Sequence, residues 1–579
     1  MSIGDASGAG LDEEEARVMR SLQNGSDIRG VAIALVQNAI VNMTSARAAA
    51  LGAAFAREAA RVAGKDVADV CVSLGRDSRI SGEMLLAAAA AGVTSTGARA
   101  INFGIATTPA MFMSTVTPDF EYDGAIMLTA SHLPPDRNGM KFFTPRGGAS
   151  KKTISDLIED ALCSLPVVSK DAFSGLDNNN SSTLTFSALV RARPALTQTV
   201  DFMAIYASQL VATIRRGVVD ATTPDQRNVA NIDADRPLAG FRVVVDAGNG
   251  AGGFFVSRVL AALGADTQGS QFLEPDGTFP NHVPNPEDAE AMEATVRAVR
   301  ESSADLGIVF DTDVDRSAVV DASGREINRN RLIALLSAIV LRKNPGATIV
   351  TDSVTSSGLA RFITARGGTH LRFKRGYKNV IDKAQQLNAR TGEKTGAVAA
   401  PLAIETSGHG AMEENYMLDD GAYLAVKILI EMVRAYAESG GTDKSAFSAT
   451  LDELQEPADE AEFRLKFEAS LAADRSEYVR EGAAILDAFK AFGARAAGWK
   501  EEAENFEGVR FVVEEEGGDE GWILLRQSLH DPLLAMNVES SRIGGVQSIL
   551  ISLVPFFEKH GSTLDWTKVA NAAAAKSRE

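Results

Sequence analysis

The chain repeats one hydrophobic pattern along most of its length. A short run of β-branched apolar residues ends in a loop rich in glycine, aspartate or serine, and an amphipathic stretch follows. Residues 70–74, 243–245, 306–310 and 348–350 are four such runs. Apolar strands that alternate with helices are typical of α/β layers in which both faces of a sheet are covered. Ligands of such sheets bind at the loops after the strands, so these loops are the first candidates for chemistry.

Polar joints divide this pattern into units. Residues 171–182 are rich in asparagine and serine, and residues 439–445 form a second joint. Beyond it, the acidic stretch 451–507 is predicted to be largely helical. Three short strands and a helix are predicted after that stretch, at 510–513, 522–526, 535–538 and 546–560. The predicted organisation is three α/β domains and one α+β domain, with boundaries at 1–195, 196–326, 327–445 and 446–579.

Charge narrows the classes of function. The chain has 579 residues, and its 58 Lys and Arg against 76 Asp and Glu give a formal net charge of −18. An acidic surface repels nucleic acid and anionic membranes, so neither is expected as a partner. A site for an anionic substrate would therefore have to gather positive charge locally.

The remaining composition indicates a compartment. Only two cysteines occur, Cys71 and Cys163, which predicts a reducing environment without a disulfide framework. An apolar run of about 18 residues, the length of a transmembrane helix, does not occur. The acidic N-terminal segment has the features of neither a signal peptide nor a transit peptide. We therefore expect a cytoplasmic location, and a plastid location with the transit peptide removed stays open.

The most informative segment is Asp311-Thr-Asp313-Val-Asp315-Arg316, which follows the run 306–310. Alternation along an extended chain could place the three carboxylates on one side, facing a single hard cation. The segment is not an EF-hand, because that loop requires Gly and Glu where this chain has Arg316 and Ala322. Three carboxylates with room for water or phosphate suit Mg²⁺. A solvated acidic turn is the alternative for this segment taken alone.

A second segment begins Thr129-Ala-Ser131-His132 and continues through two prolines to Asn138-Gly-Met-Lys141. It follows an apolar run at 125–128. A serine in a sharp loop, beside a histidine and with a lysine ten residues on, suits a nucleophile or a carrier of a phosphoryl group. Taken alone, the segment is more typical of a Pro-Pro turn with a capping serine.

Together and in this order, the two segments resemble the phosphoserine loop and the metal loop of the α-D-phosphohexomutase family. Further segments match the pattern of that family in the same order. They are Asp27-Ile-Arg29-Gly30, Gly75-Arg76-Asp77-Ser-Arg79, Asp246-Ala-Gly-Asn249-Gly250, the stretch 275–282, Gly376-Tyr377-Lys378, Glu405-Thr-Ser407-Gly408-His409, Asp419-Asp420-Gly421 and Arg526-Gln-Ser528-Leu-His530-Asp-Pro532. A single motif is weak, but their agreement in order over nearly the whole chain is specific.

The resemblance implies a fold and a reaction. The fold is the four-domain phosphohexomutase architecture, in which three similar α/β mixed-sheet domains and a C-terminal α+β domain surround a central cleft. The reaction interconverts hexose 1-phosphate and hexose 6-phosphate, of mannose, glucose or both, through a phosphoserine enzyme and a hexose 1,6-bisphosphate. Such an isomerase uses Mg²⁺, is activated by glucose 1,6-bisphosphate, has hexose phosphates as its partners and acts as a monomer or homodimer.

The resemblance also implies a role for individual residues. Ser131 carries the phosphoryl group, and Asp311, Asp313 and Asp315 bind the metal together with an oxygen of that serine. Arg29 and Arg316 stabilise charge on the moving group, and His132 and Lys141 are both candidates for general acid or base. The residues implied in substrate binding are Lys378, Glu405, Ser407, His409, Arg526 and Ser528.

The sequence departs from the family pattern in the phosphate loop, where His530-Asp531 replaces the usual Thr-Glu. Three other functions stay open at this point: a phosphoglucosamine mutase, a metal-dependent sugar-phosphate phosphatase and a non-catalytic sensor of sugar phosphates. The Glu-x-Ser-Gly-His loop favours mannose or glucose over glucosamine, and the intact serine, aspartates and arginine argue against a sensor.

Overall fold

The computed structural model describes residues 13–36, 39–172, 185–391, 399–515, 520–528 and 531–575. The joint predicted at 171–182 lies almost entirely outside these residues. The chain divides into two compact units, which are described separately below. The larger unit comprises Met1–Asn328, Ser407–Gly410 and Leu418–Ala449, and the smaller comprises Arg329–Thr406, Ala411–Met417 and Thr450–Glu579. None of the helices in the described ranges combines the length and apolarity needed to cross a bilayer.

The larger unit begins with a mixed sheet of eight strands. They are β1 (Gln23–Asn24), β2 (Asp27–Val31), β3 (Cys71–Arg76), β4 (Arg99–Ile105), β5 (Gly124–Leu128), β6 (Arg137–Thr144), β7 (Gly147–Gly148) and β8 (Thr197–Thr199). Their order is β1-β2-β6-β5-β3-β4-β8, with β7 paired to β6. The strands β5, β3, β4 and β8 run parallel, whereas β6 is antiparallel to both β5 and β2. The carboxyl end of β5 therefore leads directly into the predicted serine loop.

Helices cover this sheet and continue beyond it. They are α1 (Glu13–Ser21), α2 (Ser45–Ala63), α3 (Gly82–Ser95), α4 (Thr108–Met113), α5 (Lys151–Ala172), α6 (Phe186–Ala192), α7 (Phe202–Ala221), α8 (Pro224–Val229) and α9 (Ala289–Ser302). The helices α2 and α3 are alanine-rich and pack very closely. A Cβ atom added at Gly52 or Gly92 would lie 2.3 Å or 1.9 Å from a backbone carbonyl oxygen of the other helix. Because the residues at this contact are small, the two helix backbones approach closely and most residues of both helices are buried.

The second sheet carries the predicted metal loop. Its strands are β9 (Val243–Asp246), β10 (Leu306–Phe310), β11 (Ser317–Asp321) and β12 (Glu326–Ile327), in the order β12-β11-β10-β9. The strands β9 and β10 run parallel, and β11 returns antiparallel to β10. All residues of β9, β10 and β11 are buried; the apolar runs at 243–245 and 306–310 predict this for β9 and β10.

The third group of elements follows residue 328. Its helices are α10 (Arg329–Lys343), α11 (Ser357–Ala365), α12 (Tyr377–Thr391) and α13 (Gly421–Glu438), and its strands are β13 (Thr348–Thr351), β14 (Thr369–Arg372), β15 (Leu402–Ile404), β16 (Gly410–Met412) and β17 (Leu418–Asp419). The strand β13 lies at the centre and is parallel to both β14 and β15. The three α/β mixed sheets that the sequence predicts are thereby confirmed, and α13 and β17 belong to the larger of the two compact units.

The C-terminal elements form an antiparallel sheet with helices on one face. The strands are β18 (Asp459–Phe467), β19 (Trp499–Glu501), β20 (Val509–Glu514), β21 (Glu520–Gln527), β22 (Leu533–Ser540) and β23 (Leu564–Asp565), in the order β19-β20-β21-β22-β18-β23. The helices are α14 (Ala469–Ala472), α15 (Arg475–Gly493), α16 (Gly545–His560) and α17 (Thr567–Ala574). The α+β class and the three strands and helix predicted after residue 507 are confirmed. The four domain boundaries stay predictions.

The prediction of a largely helical stretch at 451–507 is wrong in part. The helix α15 occupies only its middle, and the nine residues of β18 form an extended strand before it. Along β18, Phe463, Leu465 and Phe467 are buried, and the charged residues between them are exposed. This period of two is the signature of a half-buried strand, but the acidic composition around it obscured the signal.

His282 is a structural residue of the second sheet rather than a member of the site. Its Nε2 lies 3.0 Å from Oδ1 of Asp246, and its Nδ1 lies 2.9 Å from the carbonyl oxygen of Val283. Burial lowers the pKa of His282, but the hydrogen bond and the charge of Asp246 outweigh this effect and raise it above the ordinary value of 6.5. Both ring nitrogens therefore act as donors, and the ring fastens the loop at 275–282 to the end of β9.

We expect the stabilising effect of His282 to depend on pH. Because its pKa is raised in the folded state, its contribution is fully present below the unfolded pKa and is lost as the pH rises through the folded pKa. The variant His282→Asn should therefore lose more free energy of unfolding at about pH 5.5 than at about pH 9. Urea titrations of the variant and the unmodified protein at the two pH values measure this difference. A loss of equal size at both would contradict the ion pair.

Candidate active site

Ser131 lies in a strained loop directly after β5. Its backbone has φ = 50°, in the left-handed region that residues other than glycine rarely adopt. Its N–H donates to Oγ1 of Thr129, whose hydroxyl in turn donates to Oδ2 of Asp77 at 2.7 Å. Strain of this kind is found at functional sites, where surrounding contacts hold it in place. The conformation of the loop thus determines the position of the buried Ser131 hydroxyl.

Arg79 supplies most of the contacts that hold the serine loop. Its guanidinium is fully buried, pairs with Asp77 at 3.3 Å and donates to the carbonyl oxygens of Ser131, Leu133, Pro134 and Arg137. The planar guanidinium therefore donates hydrogen bonds to four carbonyl oxygens, which it can do because arginine carries five N–H donors. Arg79 shapes the loop and does not itself contact the serine hydroxyl in any recorded hydrogen bond.

We expect Arg79→Met to be strongly destabilising. The change leaves the buried carboxylate of Asp77 without its ion-pair partner and four carbonyls without a donor, which costs about 3–5 kcal/mol of unfolding free energy. Arg76→Met is the matched control, because Arg76 pairs with the half-exposed Glu83 at 3.2 Å and such pairs contribute about 1 kcal/mol or less. Chemical denaturation of both variants measures the two losses. Equal losses would show that Arg79 does not organise the loop.

The acidic loop follows β10 and is also strained. Asp311, Asp313 and Asp315 are buried, and one carboxylate oxygen of each lies within 4.8 Å of the others. Val314, between two of the acids, has φ = 64°, which is unfavourable for a β-branched residue. The reversal at Val314 turns the chain so that both flanking carboxylates face the same point. The three acids therefore converge, although through a tight turn and not through the alternation of an extended strand.

The serine loop and the acidic loop meet. The hydroxyl of Ser131 donates to Oδ2 of Asp311 at 3.0 Å, across 180 residues of sequence. Nη2 of Arg316 donates to the same serine oxygen at 3.0 Å. A single hydroxyl is thus in direct contact with one acid of the cluster and with the arginine that follows it.

Arg316 is buried and contacts residues of both the serine loop and the acidic loop. Its Nε donates to Oδ2 of Asp311 at 3.1 Å, its Nη1 to Oδ1 of Asn285 at 3.0 Å, and its Nη2 lies 2.7 Å from Nδ1 of His132. Burial, followed by the positive charge of Arg316 and then of Arg29, lowers the pKa of His132 to about 3. The ring is therefore neutral at neutral pH and accepts at Nδ1, which leaves the proton on Nε2.

Lys141 reaches the acids from β6. Its Nζ donates to Oδ2 of Asp313 at 3.1 Å and also to Oδ2 of Asp315. The lysine thereby neutralises part of the charge of two metal-loop carboxylates. Burial and the neighbouring charge of Asp315 raise the pKa of Asp311. The cluster thus holds three carboxyl groups beside two cationic side chains, Lys141 and Arg316.

This donor set fits a hard divalent cation. Oδ1 of Asp313 and Oδ1 of Asp315 are buried and have no hydrogen-bond partner among the described residues. Buried carboxylate oxygens without a donor are costly unless a cation binds them. Oxygen donors alone suit Mg²⁺ better than a softer metal.

Two further predicted residues lie near the same centre. Nη2 of Arg29 pairs with Asp27 at 3.0 Å, and its Nη1 lies 3.5 Å from the carbonyl oxygen of Ala130, which precedes Ser131. His409 packs on the other side of the acids, with Nε2 3.7 Å from Oδ1 of Asp315. Burial, followed by the charges of Arg316 and Lys141, holds the pKa of His409 well below 6.5. Its Nδ1 lies 2.9 Å from Oγ of Ser407, so these two predicted residues also contact each other.

The other predicted residues lie in the smaller unit. Arg526 is the penultimate residue of β21; its guanidinium is buried, and burial lowers its pKa. The structure records no hydrogen bond from this guanidinium among the described residues, and its ion pair with Glu507 spans 4.0 Å. Ser528 accepts at Oγ from the N–H of Asp531, and His530 lies outside the described residues. A buried guanidinium whose charge is so weakly neutralised by neighbouring side chains is suited to bind an anion.

Glu405 and Lys378 have different surroundings. Glu405 is buried and accepts at Oε1 from the N–H of Gly376, which places the predicted sugar loop against the start of α12. Nζ of Lys378 pairs with Asp382 one turn along α12 at 2.7 Å. The recorded contacts of Lys378 thus join it to its own helix and to none of the other predicted residues.

Sequence reasoning missed Thr108, which begins α4. Its N–H donates to the backbone oxygen of Asp313 at 2.9 Å, and its hydroxyl donates to Oδ2 of the same residue. The signal available in the sequence was Thr107-Thr108-Pro109 after β4, which predicts only a capped helix start. This tripeptide does not indicate a contact with Asp313, which lies 205 residues further along the chain.

Comparison with known proteins identifies the family of this chain. Residues 20–165, 221–324 and 328–452 match the α/β/α domains I, II and III of phosphoglucomutase/phosphomannomutase. A phosphoglucomutase of Neisseria gonorrhoeae is 30% identical over 72% of this chain and 75% of its own length. A phosphomannomutase/phosphoglucomutase of Pseudomonas putida is 29% identical over 83% of this chain and 85% of its own.

A solved structure extends the likeness to the C-terminal elements. The phosphoglucomutase/phosphomannomutase family protein of Burkholderia thailandensis has 25% sequence identity and a TM-score of 0.67, covering 94% of this chain and 99% of its own. The matched domains, the relatives and the fold all point to one family. The chain therefore belongs to the phosphoglucomutase/phosphomannomutase family of α-D-phosphohexomutases, which are isomerases.

Proposed function

We propose that this phosphohexomutase interconverts the 1-phosphates and 6-phosphates of mannose, glucose or both, with Ser131 as the carrier of the phosphoryl group. The observation that carries the proposal is the position of the Ser131 hydroxyl, 3.0 Å from Asp311 and 3.0 Å from Arg316. A hydroxyl between a metal-binding acid and a guanidinium is suited to phosphoryl transfer, because that reaction depends on positioning and charge neutralisation.

The reaction has two half-reactions. In the first, the bond between phosphorus and Oγ of phosphorylated Ser131 breaks and a bond from phosphorus to the free hydroxyl oxygen of the hexose monophosphate forms. A general base takes the proton of that hydroxyl, and Oγ of Ser131 gains a proton. The product is a hexose 1,6-bisphosphate. In the second, after the bisphosphate has turned over, its other phosphoryl group passes to Oγ of Ser131. The serine hydroxyl loses its proton, and the sugar oxygen that the group leaves gains one. No phosphate is gained or lost overall, and each cycle regenerates phosphorylated Ser131. Glucose 1,6-bisphosphate serves as an activator because it phosphorylates Ser131 before the first cycle.

Residues around Ser131 neutralise charge during transfer. Arg316, aided by Arg29, donates to oxygens of the moving phosphoryl group. Asp311, Asp313 and Asp315, together with Ser131, are the residues that would hold Mg²⁺. When bound, the ion supplies positive charge and Lewis acidity to the phosphoryl oxygens. Lys141 and Thr108 hold carboxylates of this set in place.

His132 and Lys141 both remain candidates for the proton transfers. His132 has Nδ1 occupied by Arg316, so only Nε2 is available to exchange a proton with a sugar hydroxyl. Lys141 is engaged by two carboxylates, and it would have to leave one of them to act on the substrate. Geometry before catalysis does not rank the two, because catalytic contacts often form only with substrate bound.

Substrate recognition falls to the remaining motif residues. We assign the phosphate that is not being transferred to Arg526 and Ser528, since a buried guanidinium offers a bidentate fork to phosphate. Glu405, Ser407 and His409 are suited to bind ring hydroxyls, and Lys378 to orient the sugar or its phosphate. The Glu-x-Ser-Gly-His sequence of this loop supports mannose and glucose over glucosamine.

A coupled assay tests the proposal. The full chain is incubated with Mg²⁺, glucose 1,6-bisphosphate and the 1-phosphate of mannose, glucose or glucosamine, and formation of the 6-phosphate is followed. We expect turnover of mannose 1-phosphate, glucose 1-phosphate or both. Turnover of glucosamine 1-phosphate alone would move the enzyme to the other branch, and stoichiometric release of inorganic phosphate would indicate a phosphatase.

A further inference from the structure

Thr108 joins the first sheet of the larger unit to the metal loop of the second. It is 3% exposed and contacts Asp313 twice, from its N–H to the backbone oxygen at 2.9 Å and from its hydroxyl to Oδ2. The hydroxyl is not needed to cap α4, because Oγ1 of the preceding Thr107 already accepts from the N–H of Ala110 at 3.2 Å. The two neighbouring threonines therefore perform separate tasks.

The two carboxylate oxygens of Asp313 have different surroundings. Oδ2 accepts from the hydroxyl of Thr108 and from Nζ of Lys141. Oδ1 is buried and has no hydrogen-bond partner among the described residues. A carboxylate fixed at one oxygen has lost its freedom to rotate, so the other oxygen points in one direction only.

We propose that Thr108 is a positioning residue that fixes Oδ1 of Asp313 as the oxygen presented to the divalent cation. The inference rests on the proposed role of the acidic loop as the metal site. Lys141 alone is a weaker constraint, because it is shared between Asp313 and Asp315 and sits at the end of a flexible chain. Thr108 is short, β-branched and fixed at its own backbone, so it holds both the loop and the carboxylate.

Partners of this kind influence metal affinity. Hydrogen bonds to ligating carboxylates orient the ligand before the metal arrives, and their loss typically weakens binding about 10–100-fold. The variant Thr108→Val preserves the shape of the side chain and removes only the hydroxyl donor. We expect its dissociation constant for Mg²⁺ to rise by about 10–100-fold, with turnover recovering when Mg²⁺ is raised to saturation.

The test is calorimetric titration of the full chain with Mg²⁺ alone. Thr108→Ser retains the donor and should bind Mg²⁺ within about threefold of the unmodified protein. Thr107→Val is the matched control, because it removes a buried hydroxyl that caps α4 and does not contact Asp313 in any recorded hydrogen bond. It should lose stability and keep its affinity for Mg²⁺.

The outcomes separate this inference from the proposed function. If the unmodified protein binds Mg²⁺ and folded Thr108→Val binds it equally well, the role of Thr108 is refuted and the metal site stands. If the unmodified protein binds no Mg²⁺, the metal site itself fails and Thr108 has nothing to position. Should Thr108→Val not fold, Thr108→Ala replaces it: weakened binding supports the inference, and unchanged binding overturns it.

Discussion

Replacing Ser131 with alanine is expected to lower mutase turnover by at least about four orders of magnitude while the fold is preserved. The hydroxyl is the proposed carrier, so its removal eliminates the pathway instead of slowing a step. The rest of the centre stays assembled, because Asp311 keeps its contact with Arg316 at 3.1 Å. The measurement is the coupled assay together with circular dichroism and thermal unfolding of the same preparation.

A second buried serine provides the control for this variant. Ser337 in α10 is 0% exposed, and its hydroxyl has no hydrogen-bond partner among the described residues. Ser337→Ala should leave turnover within about twofold and stability nearly unchanged. If Ser131→Ala kept near-normal turnover, Ser131 would not be the carrier, however well the family resemblance holds elsewhere.

The exchange of Arg316 for lysine should lower turnover on the order of 10²–10³-fold, which is the usual cost of losing one donor to developing charge. The positive charge is retained, so the loss isolates the geometry of the guanidinium. A lysine Nζ cannot reach Asp311, Asn285, Ser131 and His132 together, whereas the arginine fork contacts all four. Steady-state kinetics at saturating Mg²⁺ measure the effect.

Arg258→Lys is the control for Arg316→Lys. Arg258 pairs with Asp201 at 2.7 Å on the surface, and both side chains are largely exposed. Exposed pairs of this kind contribute little, so this exchange should change neither turnover nor stability measurably. Wild-type turnover in Arg316→Lys would mean that charge alone suffices at this position and that the fork has no role in transfer.

The sequence predicts the elements of the site better than their arrangement. The strands at 306–310 and 510–513 are recovered, because short apolar runs leave few alternatives. The order of the motifs along the chain, through its resemblance to the family pattern, is enough to assign Ser131 and the acidic loop to one site. Their contact at 3.0 Å then follows from the fold, since both loops come directly after buried strands.

What could not be predicted depends on distant contacts or on mixed signals. Arg79 and Thr108 act on loops far away in sequence, and nothing in their local pattern names those partners. The turn at Val314 requires a left-handed backbone conformation, which a β-branched residue disfavours. Local sequence preferences therefore do not predict this turn. The strand β18 was obscured because charged residues outnumber its three buried ones.

The most direct test of the account is the mass of the intact protein before and after incubation with glucose 1,6-bisphosphate and Mg²⁺. We predict a gain of one phosphoryl group that maps to Ser131 and that is lost again when hexose monophosphate is added as acceptor. An unchanged mass, or a phosphoryl group that maps to any other residue, would contradict the assignment of Ser131 as the carrier.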